Sequence, residues 1–354
     1  NKKTFTFKDV FLKGLAPDGG LFIPKKIKKY SKNELKEMAK LNYIDLATKI
    51  VSEFCGSDLQ EKELKNIIKK SYSSFFGNPL LKDFIPIKKT PFYIENYSKS
   101  LDEDKKISVS IAELYHGPTS SFKDFAMQPI GNIYEHFLKA DNKKINIIVA
   151  TSGDTGSAAI AALKGKSNIN VFVLHPNNKI SNIQRRLMTT VNSKNVFNIA
   201  IKGSFDDCQR LVKDMFADKK FSERINISAV NSINWARIMF QIVYYFFIGL
   251  KFLYTTDREI VFSVPTGNFG NVYAGYISKK MGLPIKKLII ATNKNDILKR
   301  VICTGIYKPK EVFKTISPSM DIQVASNFER LIFYTSLNDD QVTLQKMEEL
   351  KKNN

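Results

Sequence analysis

Cysteine, histidine and tryptophan are scarce in this 354-residue sequence, which has three, three and one of them. Cys55, Cys208 and Cys303 are far apart and odd in number, which excludes a disulfide framework and a Cys-x-x-Cys metal site. With His116, His136 and His175 the only imidazoles, a zinc centre is equally unsupported. The sequence also lacks a long apolar run. Its most apolar stretch, Ile238 to Leu250, contains Gln241 and Gly249 and falls short of the about 20 residues of a bilayer span, so it predicts a buried helix. No signal peptide is read in the opening residues, and a start at Asn1 and a polar Lys-Lys-Asn-Asn end are compatible with trimming at either end. A reducing cytoplasm is the expected compartment. Acidic residues are short as well: 34 Asp+Glu face 55 Lys+Arg, for a formal charge of +21. That balance raises nucleic acid or an anionic membrane as partner. The lysines, however, run from Lys2 to Lys352 in short pairs among abundant Asn and Ile, so the charge reads as compositional background that favours an anionic substrate. Neither nucleic acid nor membrane is the expected partner.

What is present is the composition of a folded globular chain, 43% hydrophobic and 25% charged, long enough for two domains. A turn-rich segment, Gly14 to Pro24, centres on Pro-Asp-Gly-Gly. Helical patterns follow: Ser31 with Glu34 forms a capping box ahead of Leu35 and Met38, and Leu46, Ile50, Val51 and Phe54 make an apolar stripe closed near Gly56. This region reads as a helical N-terminal extension. Beyond a polar stretch from Ser98 to Lys106, strands and helices alternate. Strands are predicted at Ile145–Ala150, Val171–Leu174, Val196–Ile201, Ile225–Val230, Ile260–Val264 and Lys287–Ala291. Helices are predicted at Gly156–Leu163, Ile180–Met188, Phe205–Phe216, Val272–Met281 and Asp339–Leu350. Short apolar strands alternating with helices imply an α/β fold with parallel sheets covered on both faces, in two α/β units.

Three strand ends carry loops suited to anions. Thr151-Ser152-Gly153-Asp154-Thr155-Gly156 opens a helix of small residues, where backbone N–H groups and three hydroxyls suit a carboxylate or phosphate. The plain alternative is an ordinary N-cap. Pro265-Thr266-Gly267-Asn268-Phe269-Gly270-Asn271 lies where parallel α/β sheets bind phosphates, and is neither a Walker loop nor a dinucleotide fingerprint. Asn231-Ser232-Ile233-Asn234-Trp235-Ala236-Arg237 places an arginine about one and a half turns into a helix, able to converge on one oxyanion with Asn231 and Ser232, or else simply to pair with a surface carboxylate. Lys179 in Pro-Asn-Asn-Lys is a surface residue by default.

In Tyr115-His116-Gly117-Pro118-Thr119-Ser120-Ser121-Phe122-Lys123-Asp124-Phe125, a lysine stands between two phenylalanines. Apolar flanks strip hydration from an ammonium and favour a free amine able to attack a carbonyl, and the carbonyl reagent most often held so is pyridoxal 5'-phosphate. The alternative is that Phe-Lys-Asp-Phe merely opens a helix.

Taken in order, these stretches resemble the threonine synthase family, pyridoxal-phosphate enzymes of the tryptophan-synthase β-like fold, in its longer form with an N-terminal extension. The resemblance rests on Gly-Leu-Ala-Pro-Asp-Gly-Gly-Leu-Phe-Ile-Pro, His-Gly-Pro-Thr ending in Phe-Lys-Asp, Thr-Ser-Gly-Asp-Thr-Gly, Asn-Ser-Ile-Asn and Gly-Asn-Phe-Gly-Asn, from about Phe5 to the last residues. It implies a helical extension over 1–95, a larger cofactor-binding α/β domain from 96–123 and 231–354, and a smaller α/β domain over 124–230, with the cofactor between them. It makes Lys123 the Schiff-base lysine and Gly267, Asn268, Phe269, Gly270 and Asn271 the cofactor-phosphate loop. Asp154 takes the place where related enzymes use Asn against the ring hydroxyl. Thr151, Ser152 and Thr155 are implied for the substrate α-carboxylate, and Lys179, Asn231, Ser232 and Arg237 for a substrate phosphate. The implied reaction turns O-phospho-L-homoserine and water into L-threonine and phosphate, a carbon–oxygen lyase reaction. In the family a later segment supplies the hydroxyl facing the pyridine nitrogen, and no residue of this sequence is assigned to it. Alternative readings are another lyase or dehydratase of the fold, a cofactor-binding inactive paralogue, or a basic nucleic-acid-binding protein. A monomer and a homodimer are both left open.

Overall fold

The structure is a computed structural model and describes residues 4–90, 108–254 and 259–352. Helices α1 (Phe7–Lys13), α2 (Lys32–Met38), α3 (Tyr43–Cys55) and α4 (Glu61–Tyr72) form the N-terminal region. The expected box at Ser31 is made, its hydroxyl accepting from Glu34 N while the Glu34 carboxylate accepts from Ser31 N. The α3 stripe ends at Gly56, whose φ of 56° suits a residue without Cβ. Strands β1 (Ile87–Lys89) and β2 (Ser110–Ala112) pair antiparallel across the 90–108 region. The polar stretch Ser98 to Lys106 and the domain boundary expected at 95/96 lie outside the described residues.

The alternating part runs α5 (Asp124–Ala140), β3 (Ile145–Ala150), α6 (Asp154–Leu163), β4 (Ile169–Pro176), α7 (Asn182–Thr189), β5 (Val196–Ile201), α8 (Phe205–Ala217), α9 (Lys219–Arg224) and β6 (Ile227–Ser228). Its four strands form a parallel sheet in the order β5-β4-β3-β6. After α10 (Trp235–Leu253) come β7 (Ile260–Pro265), α11 (Gly270–Lys280), β8 (Ile285–Ala291), α12 (Ile297–Thr304), a 3-10 turn at Pro318–Met320, α13 (Phe328–Thr335) and α14 (Asp340–Lys352). Strands β7 and β8 make a second parallel pair.

Two expectations need correction. The strand predicted over Ile225–Val230 shrinks to β6, because Asn226 has a φ of 50° and the Val230 carbonyl is turned to the Arg237 guanidinium. Coverage on both faces holds for β3 and β4 but not for the edges: Phe197 on β5 is exposed, as are Val261 (46%) and Ile289 (45%) on the second pair.

Helix α10 is the hub. It packs on α3, α5 and α11, and one continuous core takes in α1 to α6, α10, α11 and α13. The helix outruns the Ile238 to Leu250 stretch expected to fall short of a span, and by length and composition it is long and apolar enough to cross a membrane, yet 83% of its most apolar window is buried within the protein. That matches the buried helix predicted for it.

Candidate active site

Lys123 closes the Gly117–Lys123 loop and stands at the N-terminus of α5. The loop folds back on Asp124, whose carboxylate accepts from Thr119 N at 2.8 Å and Thr119 Oγ1 at 2.7 Å. Gly117 has no room for a side chain, since a Cβ there would lie 2.5 Å from Asp124 Oδ2. Phe125, next in the chain, drops into an aromatic cluster with Tyr43, Tyr72 and Phe75, so the first turn of α5 is fixed from below. The Lys123 ammonium lies 5.4 Å from the Phe122 ring centroid and 3.0 Å from Asp154 Oδ2. Burial pulls its pKa below 10.5, Asp154 opposes, and the nearby charge of Arg237 adds to the lowering.

Asp154 begins α6 and gathers the centre of the site. Oδ2 accepts from Lys123 Nζ and from Ser319 Oγ, and Oδ1 accepts from Gln184 Nε2 at 2.6 Å. Burial pushes its pKa up, but the Lys123 charge and the hydrogen bonds of Ser319, Gln184 and Lys123 leave it below its ordinary value, so it is a carboxylate. Gly153 has a φ of 142° and a Cβ there would collide with the Gln184 amide, which explains glycine at that point of the loop. Thr151 is buried and its hydroxyl accepts from Gly153 N and Gly156 N, both at 2.9 Å. It therefore builds the loop. Ser152 and Thr155 are half-buried beside it.

Across the site β7 leads into the second glycine loop. Phe269 adopts a left-handed φ of 65° at the head of α11, and its ring meets Phe328 edge-on at 5.3 Å. A Cβ on Gly267 would meet Ile322 Cδ1 at 3.0 Å, Met320 Cα at 3.2 Å and Ser319 O at 3.2 Å. Asn271 Oδ1 accepts from Tyr244 and Tyr245 hydroxyls at 2.6 and 2.9 Å, and Asn268 O is held by Asn327. Arg237 is 2% exposed. Among the described residues it pairs with no carboxylate: Nη1 donates to Val230 O at 3.1 Å and lies 3.2 Å from Met127 Sδ, while Nε is buried without a partner. Burial lowers its pKa to about 10. Asn231 and Ser232 are half-buried at the start of the same segment, with Ser232 Oγ 3.4 Å from Ser326 Oγ. Lys179 is exposed in the turn after β4, and no contact brings its side chain to Arg237.

Gln184, Ser319 and Asn327 were missed. Gln184 sits in a Ser-x-x-Gln capping box with Ser181, and a capping box is the only signal it gives in sequence. Ser319 lies 165 residues from its partner Asp154, with no local pattern to betray the contact.

These residues fit a pyridoxal phosphate. The lysine amine has its pKa lowered by burial, a carboxylate stands beside it, and a glycine loop opens a helix N-terminus within the same site. The buried, unpaired Nε of Arg237 offers a second anion position.

The fold and the cofactor class recur in known proteins. Residues 1–72 match the family described as threonine synthase N terminus, and residues 85–350 that of pyridoxal-phosphate dependent enzymes. The solved structure of pyridoxal-phosphate-bound threonine synthase from Brucella melitensis superposes with a TM-score of 0.88 at 41% identity, over 99% of this chain and 71% of that one. The chain belongs to the threonine synthase family. Threonine synthase of Saccharomyces cerevisiae is 44% identical over 344 residues, 94% of this chain and 64% of its own length. That of Methylobacillus glycogenes is 44% identical over 336 residues, 93% of this chain and 67% of its own. The chain thus spans about two thirds of the length of the curated threonine synthases it matches.

Proposed function

We propose that the protein is a threonine synthase, converting O-phospho-L-homoserine and water to L-threonine and phosphate in the cytoplasm with pyridoxal phosphate bound at Lys123. The observation that carries this reading is the pairing of a desolvated Lys123 with a buried Arg237 that has no carboxylate partner among the described residues. An amine for carbonyl chemistry and a cation kept for an external anion are what a phosphorylated amino acid requires. When bound, the cofactor takes the Lys123 amine on its aldehyde and spreads carbanion charge from the substrate into its ring.

Lys123 Nζ is the group that moves protons, taking them from substrate Cα and Cβ and returning them as product forms. Asp154 orients that amine through Oδ2 and holds the site's negative charge, with Ser319 and Gln184 keeping its rotamer. Gly267 to Asn271 hold the cofactor phosphate on backbone N–H groups at the head of α11. Arg237, with Asn231, Ser232 and Lys179, takes the substrate phosphate, while Ser152 and Thr155 take the α-carboxylate over the frame that Thr151 builds. Phosphate leaves from Cγ and water adds at Cβ. The domain division into 1–95, 96–123 with 231–354, and 124–230 belongs to this proposal, supported by two separate parallel sheets and by the hydrogen bond from Ser319, in the 3-10 turn after α12, to Asp154 at the head of α6.

The test is uptake of pyridoxal phosphate by purified protein, seen as visible absorption that borohydride abolishes, with the reduced adduct mapped by peptide sequencing. It is expected at Lys123, and Lys123→Ala is expected to lose both the absorption and phosphate release from O-phosphohomoserine. A mutant with the parent spectrum, or an adduct on another lysine, overturns the assignment.

A further inference from the structure

We propose that Asn327 and Arg330 are positioning residues that set the geometry of the two anion loops, Gly267–Asn271 and Asn231–Asn234, relative to each other. The proposal rests on the reading of those loops given above. Arg330 is among the largest fully buried side chains, 1% exposed, and every hydrogen-bond partner it has among the described residues is a neutral oxygen. Nε and Nη2 donate to Phe22 O at 3.1 and 3.0 Å, Nη2 donates also to Ile233 O at 2.6 Å, and Nη1 donates to Asn327 Oδ1. A planar fork with fixed donor directions is thus divided among three segments of chain. One of them, the glycine-rich stretch around Phe22, stood out in the sequence without a job.

Asn327 passes this order on. With Oδ1 held by Arg330, its amide must point the other way, and Nδ2 donates to Ser232 O and Asn268 O, both at 3.1 Å. Its backbone N–H also donates to Asn268 O at 3.1 Å. The peptide joining Asn268 to Phe269 is planar and trans, so fixing its carbonyl on α13 aims the Phe269 N–H away from α13. That peptide leads into a phenylalanine at φ 65°, a conformation that L side chains leave unless something holds it. Two bonds to one carbonyl supply the hold. On the other loop the Ser232 and Ile233 carbonyls are taken by the same two side chains.

Asn327→Asp tests this. An aspartate keeps the size and strengthens the contact with Arg330, yet its side chain has no hydrogen to give to Ser232 O or Asn268 O, which leaves the backbone N–H alone on Asn268 O. Parent and variant are titrated with pyridoxal phosphate by visible absorption and with inorganic phosphate as competitor of substrate, and their thermal midpoints are compared. The variant is expected to bind pyridoxal phosphate and inorganic phosphate each about tenfold or more weakly, with kcat at saturation of both ligands within about threefold and the borohydride adduct still on Lys123. A role confined to folding would lower the thermal midpoint while leaving both binding constants within about twofold, and that result overturns the proposal. Should the aspartate variant not fold, Asn327→Ala removes the tether without adding charge and is read on the same two constants against the same limits. A parent that takes up no pyridoxal phosphate overturns the cofactor reading itself and this inference with it. A parent that does so beside variants with unchanged constants overturns the positioning role alone.

Discussion

Arg237 shows how far a single residue can be set against the stability of its own fold. It is buried, its Nε has no partner, and its pKa falls to about 10 through loss of hydration. The folded-state value lies below that of an ordinary guanidinium, so the cost of the charge is full below about 10 and is released only as pH climbs above it. Arg237→Met is therefore expected to stabilise the ligand-free protein by about 1–3 kcal/mol at pH 8, and to lose that advantage as pH rises through about 10. Urea midpoints of parent and variant across that range check it. The same change should cut the specificity constant for O-phosphohomoserine roughly 10- to 1000-fold, since each charge-assisted bond to phosphate contributes about 1.5–3 kcal/mol. A variant that is no more stable, or that turns over substrate like the parent, would contradict the role of Arg237 as a cation held in reserve. Its place in the chain was legible, as was the loop it follows. Its depth was not, because that comes from packing against other helices, among them α5, whose Met127 lies 110 residues away in sequence. Lys179, the other cation proposed for the substrate phosphate, stands exposed on the turn after β4, and no sequence pattern sets that difference in depth.

At the scale of elements, α5 is tied to its neighbours by charge as well as by apolar packing. Glu135 accepts from Lys70 of α4 at 3.0 Å and from Lys166, in the turn after α6, at 3.0 Å, while Lys139 of its own helix stands 3.1 Å away. Burial works to raise its pKa, but the hydrogen bonds from Lys166 and Lys70 and the Lys166 charge bring it from 4.5 to about 2. A depressed carboxylate contributes stability that is full above its ordinary value and is lost as pH falls through the folded one. Acid should therefore loosen the α4–α5–α6 layer between about pH 4.5 and 2. Glu135→Gln is expected to be less stable than the parent at pH 7, because Lys166 is left buried without its counter-charge, and the gap should narrow as pH drops across that window. Chemical denaturation at pH 7, 4 and 3 reads it, and a gap independent of pH would refute the ionic tie. Elements were legible where a pattern is local and repeats: the apolar run of α10, the alternation of β3 to β5, the box at Ser31. They were not where tertiary contacts take over a backbone, as at β6, whose Val230 carbonyl serves Arg237, or at the segment around Ser319, which carries no periodicity and is placed by Asp154 and Gly267.

Across the whole molecule, the N-terminal helices, read as an extension in the sequence, share one core with α5, the helix that begins beside Lys123. Tyr72 OH donates to Phe125 O at 2.8 Å, two residues beyond Lys123. Tyr43 of α3 touches the rings of Tyr72, Phe84, Phe125 and Phe247 at centroid distances of 4.8 to 5.9 Å, so one side chain joins α3, α4, α5 and α10. Helical spacing reveals which face of α3 is apolar, but not that this face packs on α10 almost two hundred residues later. A shared core implies shared unfolding. The single tryptophan, Trp235, is placed to report on it, with its ring 5.5 Å from Phe54 of α3 and 5.9 Å from the Arg330 guanidinium. Tyr43→Ala removes a buried aromatic ring and is expected to cost about 3–5 kcal/mol. If the core is one unit, Trp235 fluorescence and far-ultraviolet ellipticity will fall together in urea, in the parent and, at lower urea, in the variant. An independent extension predicts instead an early loss of ellipticity on Tyr43→Ala, with the Trp235 transition left near its parent midpoint. Pyridoxal phosphate separates the two further: ligand bound at Lys123 should raise the midpoint of both signals in the first case, since stabilising α5 then stabilises α3 and α4 with it.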